Sequence, residues 1–248
     1  MKNNLLKKII ISLGISFFWI SVWQVAAMLV DNSLFLPTPK QTLISLFEII
    51  CTFEFYKVVF FSLLRVIIAL LIGISSGIVL AFICHKSSVL SMILYPFFAT
   101  IKATPVATFI VLLWILVSGN NLAIIVAVLM VMPIVWQNTL DGFKSIPKDL
   151  IEVAEIFEFD HLKRFRLLII PALSKYIYPA LITSVGLAWK SEIAAEIIAY
   201  TKNSIGMYIN DSKTFMLTPS VFAWTIVVIC MSVTLETLTK IIVRKLQK

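Results

Sequence analysis

The sequence predicts an all-α polytopic membrane protein with about six spanning helices. Three observations carry this. Of 248 residues, 60% are hydrophobic and 14% are charged, against about 25% charged in a typical soluble domain. Four windows are free of charge altogether, residues 9–30, 66–84, 103–140 and 214–235, and a helix that crosses the bilayer needs about 20 mostly apolar residues. Lysine and arginine alternate in density from one predicted connection to the next, as they do in membrane proteins of fixed orientation.

The predicted spans are residues 9–30, 58–84, 91–118, 122–140, 175–199 and 221–243, all within one domain, 1–248. The first follows a basic start like a signal peptide, but its apolar run of 22 residues exceeds the ~7–15 of a signal core, so it reads as a retained span. Between it and the second span, a segment of about 34–56 reads as an outer amphipathic element. Thr38 is its N-cap, Pro39 its first residue and Gln41 the partner in a capping box, and Leu43, Leu46, Phe47 and Ile50 then share one helical face. In the second span Gly73 and Gly77 form a GxxxG pattern that suits close packing. Arg65, near its outer end, reads as snorkelling to the interface. Pro96, Lys102 and Pro105 interrupt the third span, which reads as kinked or as starting on the membrane surface. Ser118–Gly119–Asn120–Asn121 is a turn into the fourth. A long outer loop, about 201–219, precedes the last span.

With the N-terminus inside, the inner loops and tails hold fourteen lysines and arginines and the outer side holds four, Lys40, Lys57, Lys202 and Lys213. Both termini are therefore expected in the cytoplasm, in a cell membrane. The net charge of +8 follows from this asymmetry, so no nucleic-acid partner is expected. Cys51, Cys84 and Cys230 have no metal or redox spacing and read as small apolar fillers.

One block departs from the oily background. Residues 152–171 hold seven of the chain's 34 charges. The stretch from Pro147 reads as a short helix with Asp149 and Glu152 at its positive end and an apolar stripe of Leu150, Val153, Ala154 and Phe157. Asp160 then caps a second, basic helix containing Lys163, Arg164 and Arg166. A solvated loop or a helix on lipid headgroups is the plainer reading. The acids come first, however, and anionic lipid would repel them, so a docked protein fits better.

This block resembles the EAA loop of ABC importer permeases, the binding-protein-dependent inner membrane components. Their pattern is Glu-Ala-Ala, three residues, Gly, nine residues, then Ile-x-Leu-Pro; here stand Glu152-Val153-Ala154 and, at the same spacing, Ile170-Pro171. "FLPTP" at 35–39, "SLLRV" at 62–66, "GLAWKSEIAAEII" at 186–198 and "IGMYI" at 205–209 resemble the nitrate, sulfonate and taurine branch, which also includes permeases for thiamine precursors. The resemblance implies a type I ABC importer permease fold. Its coupling loop at about 141–171 would meet a cytoplasmic ATPase through Glu152, Val153, Ala154, Glu155, Phe157, Glu158 and Pro171. It also implies two ATPase subunits, an extracytoplasmic binding protein and a second permease copy, most simply a homodimer in the lipid bilayer. ATP and Mg would sit on the ATPase, with no cofactor in this chain. One position departs from the pattern: the family glycine falls on Glu158. Gly favours a left-handed turn there, so either the turn shifts toward Phe159 and Asp160 or the connection takes another shape.

Lys190, Glu192 and Glu196 lie in the fifth span, about 22 to 31 Å from Lys175 along a helix rising 1.5 Å per residue. Mid-membrane charges must be paired or face water. Glu192 and Glu196 share a face and Lys190 points elsewhere, so the span either lines the translocation path or carries a buried structural ion pair. A secondary transporter using these three residues for ion coupling is the alternative function. The chain has no G-x-x-x-x-G-K-[ST] and no H-E-x-x-H, so an enzyme with its own ATPase or zinc site is not expected, and energy would come from a partner.

Overall fold

A computed structural model of the chain describes residues 2–117 and 121–247. The described residues are almost entirely helical: α1 (Lys2–Val30), α2 (Pro39–Ile50), α3 (Phe53–Lys86), α4 (Ser88–Ala103), α5 (Val106–Leu116), α6 (Leu122–Lys144), α7 (Lys148–Ile156), α8 (His161–Arg164), a π-helical turn (Phe165–Ile169), α9 (Ile170–Ala199), α10 (Ile205–Thr214) and α11 (Thr218–Leu246). Five of these segments are long and apolar enough to cross a membrane, or six if the bent pair α4 and α5 counts as one.

α3, α6 and α9 form the centre, with α6 packed along both of the others. The GxxxG of α3 makes this possible. A Cβ on Gly73 would stand 2.9 Å from Val131, and one on Gly77 2.9 Å from Val135, so only hydrogen lets the two backbones approach this closely. The same contacts show α3 and α6 running parallel. α9 runs against them: Leu173, near its start, meets Gly142 at the end of α6, while Ala195 joins Leu122 and Ala123 near the start of α6. Trp189 and Trp224 fill the main core with Val66, Ala69 and Val131, and the buried Trp189 indole donates to Val228 O at 3.0 Å.

α1 stands apart, and Ala27 alone among its described side chains is buried. Its far end is pinned, because Trp23 stacks on Phe222 at 5.7 Å and donates to Pro37 O at 3.0 Å. The predicted capping box of α2 is present, with Thr38 N–H donating to Gln41 Oε1 at 2.9 Å and Gln41 N–H to Thr38 Oγ1 at 3.3 Å. Thr42, Leu46 and Ile49 turn toward the bundle, and Leu43 and Phe47 stay exposed on its outer side.

The third predicted span is kinked as expected, but its continuity as one helix is corrected. It is two helices, α4 and α5, meeting at 110°. The break comes at Thr104–Pro105 because Pro105 has no N–H to continue the ladder and pushes Thr104 to an extended ψ of 130°. Pro96, by contrast, stays inside α4. α4 packs against one half of α6 through Phe98 and Trp136, whose rings lie 4.6 Å apart. α5 packs against the other half, near Leu122 and Val126. The pair thus returns the chain from the end of α3 to the start of α6. The turn expected at 118–121 lies outside the described residues except for Asn121. The long loop before the last span is also corrected: it contains α10, capped by Ser204, whose Oγ accepts from Met207 N–H at 2.9 Å.

Candidate functional site

Two places bring the sequence's charged candidates together, one at each end of the bundle. At the end opposite α10, the charged block folds as a hairpin of α7, α8 and the π-helical turn. Asp160 caps α8 as expected, accepting from His161 N–H at 2.7 Å. The acidic and basic arms are tied by Arg164 and Glu155 at 3.7 Å and by Lys163 resting on the Phe159 ring at 4.3 Å. These contacts are largely solvated, worth about 0–1 kcal/mol each.

The apolar stripe of α7 is split by the structure. Ala154 is buried, whereas Val153 and Leu150 are about half exposed and Ile156, Phe157 and Leu162 are 78%, 69% and 75% exposed. Glu152, Glu155 and Glu158 are exposed beside them. The hairpin therefore offers an apolar knob ringed by acids. Pro171 stands in the first turn of α9. Its ring would crowd the carbonyl one turn back in an α-helix, and the preceding turn is wound wider, with Ile170 N–H donating to Phe165 O.

The turn does not shift away from the family's glycine position. Glu158 itself takes a left-handed φ of 47°, and Phe159 N–H donates back to Ala154 O at 2.9 Å, closing the helix end. A left-handed non-glycine residue costs about 1–2 kcal/mol. Glu158→Gly is expected to stabilise the hairpin by about 1 kcal/mol, read as slower amide exchange at residues 153–160. Unchanged exchange would show that the turn bears no strain.

At the other end, Glu196 is fully buried, and its carboxylate accepts from Arg65 Nη1 at 2.8 Å, Ser62 Oγ at 2.8 Å and Gly206 N–H at 3.1 Å. Ser62 accepts from Ile205 N–H at 3.1 Å. Arg65 also donates to Lys202 O at 2.8 Å and Asn203 O at 3.3 Å. Arg65 is buried, which corrects the snorkelling expectation. It turns inward because an acid and two loop carbonyls satisfy its guanidinium. For Glu196 the buried-pair alternative is the one observed: it latches α3, α9 and α10 together. No sequence motif marks Arg65, Ser62 and Gly206 as site residues. Ser62 and Arg65, three residues apart on one face of an apolar helix, were the available signal.

Glu192, one turn from Glu196, is also fully buried, but neither of its carboxyl oxygens has a hydrogen-bond partner among the described residues. Lys190 is exposed on another face of α9 and has no ion-pair partner among the described residues. The three residues do not form one site, and Glu196 is not free for the ion coupling that a secondary transporter would require.

Residues 69–248 match the family described as binding-protein-dependent transport system inner membrane component. A Bacillus subtilis (strain 168) protein named as an aliphatic sulfonates transport permease is 26% identical over 232 residues, 92% of this chain and 83% of the relative. The taurine transport system permease of Escherichia coli (strain K12) is 25% identical over 237 residues, 93% and 86% of the two chains. A bicarbonate transport system permease of a Synechocystis strain is 31% identical over 148 residues, 58% of this chain and 51% of the relative, so this chain spans about half of that protein.

Proposed function

The chain belongs to the family of binding-protein-dependent transport system inner membrane components and is a multi-pass permease subunit of an ABC importer, and from that premise we propose how its parts work. Two copies, as a homodimer, enclose the path between them. Two cytoplasmic ATPase subunits, which carry ATP and Mg, dock on the hairpins, and both termini lie on that side. A binding protein delivers a small solute at the α10 end. The cargo is a small polar solute, a reading supported by relatives named for aliphatic sulfonates, taurine and bicarbonate. ATP-driven closure of the ATPases moves the hairpins, and α9, continuous with them through the π-helical turn, carries that motion along the path.

The observation that supports this most is the exposed knob of Ile156, Phe157 and Leu162 on a helix–turn–helix that matches the coupling loop in spacing. Large apolar side chains at an aqueous end of a membrane protein, rimmed by charge, mark a protein contact. The acids on α7 repel anionic lipid, leaving a groove in a soluble partner as the better host. Glu152, Glu155 and Glu158 set orientation, and Phe157 is the anchor.

The test is co-purification with a candidate ABC ATPase subunit, comparing wild type with Glu152→Lys plus Phe157→Ser. Both side chains are exposed, so the variant is expected to fold, which a monodisperse elution profile checks. Retention by wild type and at least tenfold loss in the variant supports docking here. Equal retention by a folded variant removes the hairpin from the interface.

A further inference from the structure

We propose that Lys190 is the charge-selecting residue of the path, so that the cargo passes as an anion, a carboxylate, sulfonate or similar oxyanion held by the Lys190 ammonium midway across the membrane. This rests on the reading of α9 as a wall of that path.

Depth is the first argument. Lys190 precedes Ala199, the last residue of α9, by nine positions, about 14 Å of helix. That is close to half of a ~30 Å hydrocarbon core. An ammonium on a four-carbon stem reaches neither surface from there. Left against lipid it would cost at least about 2.5–3.5 kcal/mol, so the exposed Lys190 must face water or a counter-charge.

Its surroundings decide which. Leu187 and Ala194, on the same face of α9, both pack in clusters that contain Val106, the first residue after the Pro105 break. Lys190 therefore stands beside the bend between α4 and α5, where Lys102 is also exposed. The acids of the crossing helices are spoken for or hidden. Glu196 is bound to Arg65 at 2.8 Å, Glu192 is fully buried, and Glu54 is near Lys57 at 3.4 Å. Glu236 of α11 reaches Gly186, one turn before Lys190, and lies 3.7 Å from Lys240. Asp141 is in the last turn of α6 and accepts from Gln137 at 3.1 Å. A second copy would bring the same set, and so would add another exposed Lys190 without a free acid to meet it. A cationic, water-filled constriction concentrates anions by roughly 10-fold or more, and it holds back cations.

A reporter thiol at Thr183, exposed two turns from Lys190 on the same face, tests this without knowing the cargo. Cys51 and Cys230 are replaced by Ser and Cys84 by Ala, and Thr183→Cys is added. The permease, with its ATPase, is placed in lipid nanodiscs open to both sides. Reaction rates with 2-sulfonatoethyl methanethiosulfonate, itself a small sulfonate, and with its trimethylammonioethyl counterpart are each divided by the rate with free thiol. The anionic reagent is expected to lead by about tenfold. Lys190→Gln should abolish the lead and Lys190→Arg should keep it. If neither reagent reacts, the face is dry and the path reading falls together with the proposal. If both react with no anionic lead, or if the lead survives Lys190→Gln, the path stands and charge selection by Lys190 is overturned.

Discussion

Arg65→Ala is expected to destabilise the protein by about 3–5 kcal/mol, because it strips the partner from a fully buried carboxylate. The basis is the latch at the α10 end, where Arg65 meets Glu196 at 2.8 Å and also holds the carbonyls of Lys202 and Asn203 at 2.8 and 3.3 Å. Removing the guanidinium leaves Glu196 charged and dry and frees the α9–α10 connection. Desolvation sets much of this magnitude, so the double change Arg65→Met with Glu196→Met should recover part of the loss, the remainder reflecting the Lys202 and Asn203 carbonyls and the Gly206 N–H left without partners. Glu192→Met provides the contrast. Neither Glu192 oxygen has a hydrogen-bond partner among the described residues, and an apolar replacement of similar shape is expected to be neutral or stabilising. Thermal unfolding in detergent orders the four proteins as Glu192→Met at or above wild type, the double variant below them, and Arg65→Ala last. A double variant no better than Arg65→Ala would mean that the pair contributes through specific geometry rather than through compensation of charge.

Gly206→Val should undo the docking of α10, at a cost at or above the upper end of the ~1–3 kcal/mol typical of overpacking. A Cβ at position 206 would lie 2.6 Å from the Glu196 carbonyl carbon, and closer still to Glu196 Cβ. These are neighbouring backbone and the stem of a fully buried side chain, so neither can swing aside. The Gly206 N–H that reaches Glu196 at 3.1 Å would be displaced with it. Trypsin reports the outcome, since Lys202 is exposed just before α10 and Lys213 in its last turn. Cleavage there should rise at least tenfold in Gly206→Val while sites in the hairpin keep their wild-type rate. Unchanged cleavage would show that α10 tolerates a shifted seat.

The hairpin was legible in the sequence because its determinants are local. Asp160 caps the helix that starts beside it, and the chain turns at Glu158, where the family pattern has glycine. Which residues of the α7 stripe face outward was not legible. Helical periodicity places Ala154 and Phe157 on one side, but α7 ends there, and burying Ala154 leaves Phe157 exposed. The bend at Pro105 was half legible: proline marks a break, but its 110° depends on how α4 and α5 each pack on α6.

The sequence by itself determined the class, the long spans and the caps at Thr38 and Asp160, since hydropathy and capping act over tens of residues or fewer and the bilayer enforces the spans. The latch was decided by tertiary structure alone. Arg65 and Glu196 lie 131 residues apart, and each reads singly as a charge at the membrane edge. Only the parallel packing of α3 on α6, with α9 reversed against both, brings the two into one dry pocket. There the acid and the base stabilise each other as neither could in lipid or in water.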